Sequence, residues 1–176
     1  WGQLGLYTVL LLLCAKPLGL YMTAIYEGRR TWLHPVLRPI EVGLYRAGGV
    51  KEDVEQGWRR YLFTLLAFNL LGFFILYTIL RLQGALPLNP QELPALKPSL
   101  AFNTAASFMT NTNWQAYAGE TTMSQLTQML GLGVQNFVSA ATGIAVLIAL
   151  TRGLARRSAT TIGNFWSDLV RATLYI

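Results

Sequence analysis

Thr110-Asn111-Thr112-Asn113-Trp114-Gln115 is a run whose residue types suit the capture of a cation without any charge of its own. Thr110, Asn111, Thr112 and Asn113 offer four successive backbone carbonyls, and their short side chains can bond their own backbone to hold unusual dihedrals. Carbonyl dipoles replace the water shell of a dehydrated ion, whereas full charges would bind it too tightly to release. No acid falls inside the loop, and Glu120 comes only after it. That favours a monovalent ion over calcium, which prefers carboxylates. Trp114 is expected to pack behind the loop as a cuff, with Gln115 as further support. A plain interfacial turn would use the same residue types, so the flanking segments decide between the readings.

The segment before the loop, Ser99 to Met109, has the pattern of a short helix. Asn103, Thr104 and Ser107 fall on one side of it, and Leu100, Phe102, Ala105, Phe108 and Met109 fill the rest. A bilayer core needs roughly 20 helical residues, so this helix cannot cross. A short helix that dips into the membrane and returns as polar backbone is a re-entrant pore loop, tolerated only where protein or water surrounds it. Chain entering from outside puts the helix's C-terminal, negative dipole end at the ion, the end a cation wants.

The surrounding chain is built for lipid. Its 176 residues are 53% hydrophobic and only 12% charged, against about 25% charged in soluble domains. The net charge of +6 lies in short basic segments beside apolar runs, the membrane-topology pattern, and does not point to nucleic acid. Cys14, the only cysteine, sits in an apolar run and says nothing of redox compartment. The expected fold is all-α and transmembrane.

Residues 1–26 form the first span, interrupted by Lys16-Pro17, with no basic segment before it to suggest a signal peptide. Residues 27–60 form a cytoplasmic loop carrying Arg29, Arg30, Arg38, Arg46, Lys51, Arg59 and Arg60. Its Pro35, Pro39, Gly43, Gly48 and Gly49 are expected to break any long helix, and Lys51 to Gln56 to form a short solvated one. His34, the only histidine, reads as a surface residue without metal-binding partners. Residues 61–81 form an outer helix, in which Asn69 is expected to bond a neighbouring helix. Residues 82–98 form a proline-rich external loop, 99–109 the pore helix, 110–115 the filter loop and 125–150 an inner helix. A cytoplasmic loop with Arg152, Arg156 and Arg157 follows at 151–163, and 164–176 opens another span, in which Asp168 and Arg171 are spaced to pair. Between the second and third spans only Arg81 and Lys97 are basic, so the N-terminus and the Thr110 loop are expected outside.

On the inner helix Gln128, Gln135, Ser139 and Thr142 run along one face, with Asn136 at its edge. Such a stripe on a membrane helix faces the bundle interior or a watery cavity. Ser139 and Gly143 make a small pair that permits close helix approach.

These residues resemble the potassium-binding A-subunit family of the bacterial Kdp potassium-transporting ATPase. The resemblance runs along the chain through Pro87-Leu88-Asn89-Pro90, Thr110-Asn111-Thr112-Asn113-Trp114-Gln115, Gly119-Glu120-Thr121-Thr122, Val134-Gln135-Asn136-Phe137, Ser139-Ala140-Ala141-Thr142-Gly143-Ile144-Ala145 and Gly163-Asn164-Phe165-Trp166. It implies four potassium-channel-like repeats of outer helix, re-entrant pore helix and inner helix, preceded by one extra span. The chain then reads as an N-terminal fragment: the extra span, the first pore repeat (61–150) and the opening of the second. Thr110, Asn111, Thr112 and Asn113 would be the first strand of a selectivity filter taking potassium from outside. The resemblance further implies a bacterial inner-membrane complex in which the Kdp B component, a P-type ATPase, receives the ion, and the small C and F components complete the assembly.

No G-x-x-x-x-G-K-[ST] loop and no aspartyl phosphorylation motif occurs, so ATP chemistry is expected on a partner protein. A homotetrameric passive channel and a structural membrane anchor are the alternatives. A membrane acyltransferase would need a His/Asp or Ser/His pair facing the membrane, and His34 has neither a span nor a nearby partner.

Overall fold

Three helices of the computed structural model are long and apolar enough to cross a bilayer, among the described residues 1–156, 158 and 160–176: Gly2–Tyr26, Trp58–Ala85 and Thr127–Ala155. The first is α1. The second is α3 (Trp58–Leu82) continued by a single tight turn. The third opens as a π-helical segment, Thr127–Gly133, and continues as α6 (Val134–Ala155), past the expected end at Leu150. Shorter helices are α2 (His34–Gly48), α4 (Pro98–Met109), α5 (Gly119–Thr122) and α7 (Phe165–Tyr175). No strand occurs among the described residues. Arg157 lies outside them.

Two buried clusters hold the bundle at its two ends. In the outer one, Leu76 and Leu80 of α3 meet Ala101, Ala105 and Phe108 of α4, closed by Leu96, Met123 and Leu132. Gln83 pins this end from a fully buried position. Its Nε2 donates to the carbonyls of Pro94 (2.6 Å) and Thr122 (2.8 Å), and its Oε1 accepts from Ser124 N (3.2 Å). One glutamine thus ties the end of α3 to the proline-rich loop that follows it and to the segment leading into the third long helix. The close approach of Gly131 to α3 completes the join: a Cβ there would stand 3.1 Å from Leu76 Cδ1.

The inner cluster packs Ala141, Ala145 and Ala149 of α6 against Tyr61, Phe165, Leu169 and Ala172. Small residues four apart let helix backbones approach where lipid supplies no hydrophobic drive. That ridge is Ala141-Ala145-Ala149 and not the expected Ser139–Gly143 pair, since a Cβ at Gly143 would meet no neighbouring element within 4 Å among the described residues. Asn69 also departs from expectation. Its Nδ2 donates to Leu65 O (2.8 Å), four residues back on its own helix, and among the described residues it makes no interhelical bond.

The segment 27–60 holds more order than its prolines and glycines suggest. Helix α2 runs through them because Pro35 sits in its first turn, where no N–H is required, and Pro39 removes a single internal bond. Gly49, at φ 63, ends it: Gly49 N donates to Arg46 O and Val50 N to Tyr45 O. The helix is held by its polar side. Buried Glu41 accepts from Tyr45 Oη (2.8 Å), Tyr175 Oη (2.9 Å) and Arg171 Nε (2.9 Å), and it pairs with Arg38. Burial pushes the Glu41 carboxyl up, but the bonds from Arg171, Tyr45 and Tyr175 outweigh it and hold the group below its ordinary range. Val36, Ile40 and Leu44 are left on the outside.

The stretch from Lys51 to Gln56 is not the expected helix. Its groups are spent on tertiary partners instead: Gln56 N donates to Gly163 O (2.6 Å), Ile162 N to Gln56 O (3.0 Å), and Asn164 Nδ2 to the carbonyls of Lys51 and Val54. Asn164 Oδ1 also caps α7, accepting from Trp166 N and Ser167 N. Asp168 and Arg171 do not pair with each other. Asp168 takes Arg152 in a two-pronged bond (2.6 and 2.9 Å), while Arg171 turns to Glu41 and Glu52.

Glu55 fastens the same region, accepting from Arg156 and Thr161. The Arg156 guanidinium, helped by the Thr161 hydroxyl, holds its carboxyl at about 2. Both partners are about 40% exposed, so the pair contributes under about 1 kcal/mol. A depressed carboxylate stabilises above its ordinary value near 4.5 and loses that contribution as pH falls through about 2. Glu55→Gln is therefore expected to flatten slightly the fall in thermal midpoint across that window. An unchanged acid limb in a pH-dependent melting series would mean that the carboxylate is free.

Candidate functional site

Helix α4 starts at Pro98, which suits the first helical turn because its missing N–H is not needed there. Twelve residues at 1.5 Å each give about 18 Å, too short to span. The helix ends in a Schellman motif: Asn111 takes φ 56, its N–H donates to Phe108 O (3.2 Å), and Thr112 N donates to Ser107 O (3.0 Å). Asparagine is among the few non-glycine residues that enter this left-handed region readily.

The loop then repeats the move. Asn113 also has φ 56, while Thr110 is at −84 and Thr112 is not among the positive-φ residues, so the sign of φ alternates along the four residues. Their N–H groups turn back to the end of α4: Thr110 to Ala106 O, Asn111 to Phe108 O, and both Thr112 and Asn113 to Ser107 O. Thr110 Oγ1 donates to Ala106 O (2.9 Å) and stands 2.8 Å from Thr112 Oγ1, which itself lies 3.2 Å from Ser107 O. With every donor drawn to one side, the carbonyls of Thr110, Asn111, Thr112 and Asn113 accept no hydrogen bond from any described residue. The loop therefore offers a row of neutral, unpaired acceptors at the negative end of a helix dipole. That is a site for a cation and a poor one for an anion.

Side chains brace this arrangement. Ser107 Oγ donates to Trp114 O (3.0 Å) and Trp114 Nε1 to Asn103 Oδ1 (3.0 Å), which straps the far end of the loop across α4. Trp114 is 48% exposed, so it lies over the helix as a strap and is not enclosed behind the loop. Gln115 is exposed. Asn113 Nδ2 donates to Asn136 Oδ1 (2.9 Å) and to Asn111 Oδ1 (3.3 Å).

The five polar residues of the inner helix do not share one environment. Gln135, Ser139 and Thr142 are buried, Gln135 beside Gly72 of α3, where a Cβ would stand 3.0 Å from its Oε1. Ser139 and Thr142 donate to carbonyls of their own helix, Asn136 O and Val138 O. Gln128 is exposed and donates to Gly119 O and Met123 O. Asn136 is exposed and reaches the loop. Ser107 and Asn103 belong to the site although residue type alone does not assign them to it. Their spacing of four on the helix before the loop is visible in the sequence, but that Ser107 O takes the N–H groups of both Thr112 and Asn113 is not.

An all-helical transmembrane protein with a short helix and an uncharged polar loop set between two span-length helices is the class that these elements define. A profile of the family described as "Potassium-transporting ATPase A subunit" matches residues 5–176. Several proteins close in sequence carry the name potassium-transporting ATPase potassium-binding subunit. The one from Pseudomonas entomophila is 63% identical over 96% of this chain and 30% of its own length. Those of Bordetella pertussis (61% over 99% of this chain, 30% of its own) and Methylobacterium radiotolerans (58% over the whole chain, 31% of its own) are similar. The chain belongs to the potassium-transporting ATPase A-subunit family, and it spans about 30% of the length of these relatives.

Proposed function

We propose that this chain forms the first pore repeat of a channel-like protein that binds potassium and translocates it within an ATP-driven importer. Thr110, Asn111, Thr112 and Asn113 supply one strand of the filter, with Trp114 and Gln115 in support and Gln128 and Asn136, the exposed members of the inner-helix stripe, toward the ion path, while Gln135, Ser139 and Thr142 pack within the bundle. The observation that carries this reading is the row of four carbonyls left free while their N–H groups are tied to the end of α4. A desolvating ion needs several such neutral oxygens at once, and one strand supplies only part of a shell. The remaining strands come from further repeats of the same polypeptide, consistent with relatives about three times as long.

ATP hydrolysis belongs to the Kdp B component, a P-type ATPase that receives the ion, and the C and F components complete the complex. The assembly sits in the bacterial inner membrane with the N-terminus and the Thr110 loop outside and residues 27–60 and 151–163 in the cytoplasm. The intact complex should hydrolyse ATP in response to potassium and not to equal sodium. Equal stimulation by both ions would overturn the assignment.

A further inference from the structure

Within the proposed filter, we infer that Asn136 is a positioning residue whose side-chain carbonyl orients the Asn113 amide and so directs the Asn113 carbonyl toward the ion. The inference rests on the filter reading of the Thr110 loop. Asn113 holds a left-handed φ of 56, and its N–H reaches Ser107 O at 3.3 Å, the longest of the loop's backbone bonds to α4. Its conformation therefore depends on its side chain, whose Nδ2 donates to Asn136 Oδ1 at 2.9 Å and to Asn111 Oδ1 at 3.3 Å. The shorter bond comes from a different element, the inner helix α6.

Of the five polar residues on the inner-helix face, Asn136 is the one that reaches the loop among the described residues. Gln135 packs beside Gly72, Ser139 and Thr142 donate to carbonyls of their own helix, and Gln128 turns to Gly119 O and Met123 O. Local winding accounts for this. The π-helical stretch Thr127–Gly133 lies just before Asn136. A π turn holds more residues than an α turn, so it rotates everything after it relative to a regular α-helix. That rotation brings the exposed Asn136 round to the loop while the adjacent Gln135 packs on α3. The sequence places both residues on or beside one polar face, and the wide turn divides their tasks.

The test uses the full-length protein in its intact complex. Asn136→Leu keeps the size of the side chain and removes the acceptor. It is expected to raise the potassium concentration for half-maximal ATPase activity about tenfold, leaving kcat unchanged, and to narrow the preference for potassium over sodium. Asn136→Asp keeps an acceptor at the same reach and should retain that preference. In an Asn113→Ser background, Asn136→Leu should add nothing, because the donor is already gone. An equal effect of Asn136→Leu in both backgrounds, or no effect in either, overturns the positioning role. If Asn113→Ser itself leaves half-saturation unchanged, the filter reading falls. If Asn113→Ser shifts it and Asn136→Leu does not, only the role of Asn136 falls. Should the leucine variant fail to assemble, Asn136→Ser, too short to reach Asn113, answers the same question.

Discussion

Replacing Gly163 by alanine in the full-length protein is expected to destabilise it by about 3 kcal/mol or more and to sharply reduce recovery of the assembled complex. Gly163 has φ +111, a conformation that L residues rarely adopt, and its neighbourhood is full. A Cβ there would stand 1.9 Å from Arg152 Nη1, 2.8 Å from its Cζ and 3.1 Å from Asp168 Oδ2. The guanidinium cannot simply swing aside. It makes the two-pronged bond to Asp168, which is 1% exposed, and also donates to Ile162 O and Tyr26 O. Driving it away strands a buried carboxylate whose remaining side-chain donor among the described residues is the Tyr61 hydroxyl (3.1 Å), which Ala145 O shares (2.9 Å). Breaking one side of a buried ion pair costs about 3–5 kcal/mol. A thermal midpoint measured by fluorescence-detected size exclusion checks the expectation, and a midpoint equal to that of the unaltered protein would refute it. Asp168→Asn, which keeps the shape and leaves Arg152 unpaired, should fall in the same direction.

The second large effect concerns the left-handed residues of the loop. Asn111→Gly keeps φ 56 accessible and should leave potassium-stimulated ATPase activity close to normal, because the bonds that define the turn are made by backbone N–H groups. Asn111→Val places a β-branched residue in a region it avoids. At about 1–2 kcal/mol for a left-handed L residue, the half-saturating potassium concentration should rise about tenfold or more, since 1.4 kcal/mol is a factor of ten. The contrast between the two variants isolates backbone geometry from the loss of a side chain. Equal behaviour of the glycine and valine variants would show that the loop's dihedrals do not matter to the ion. Valine variants that fail to assemble while the glycine variants work would mark the loop as a structural turn.

Much of the architecture is legible in the residues alone, for local reasons. Length and hydropathy set three spans, since crossing the hydrocarbon is a matter of rise per residue. Pro98 and the short apolar pattern after it mark a helix of sub-span length ending at the polar loop. The uncharged character of Thr110 to Asn113 already points to carbonyl chemistry. Where local reading fails, the competing force comes from elsewhere in the chain. Pro39 and Gly43 are helix breakers by type, yet α2 forms because Glu41 and Tyr45 are buried against α7. The near-sequence pairing of Asp168 with Arg171 loses to partners 16 and 130 residues away.

The all-helical membrane class, the places of the spans and the location of a neutral, carbonyl-rich loop all follow from residue type and spacing. Which acid each arginine meets, which face of the inner helix is buried, and which way the loop's carbonyls turn depend instead on contacts between distant parts of the chain. The last depends on the end of α4, where Ala106 O takes the Thr110 N–H, Phe108 O that of Asn111, and Ser107 O those of Thr112 and Asn113. A peptide plane carries its N–H and C=O in opposite directions, so tying down the donors is what frees the acceptors.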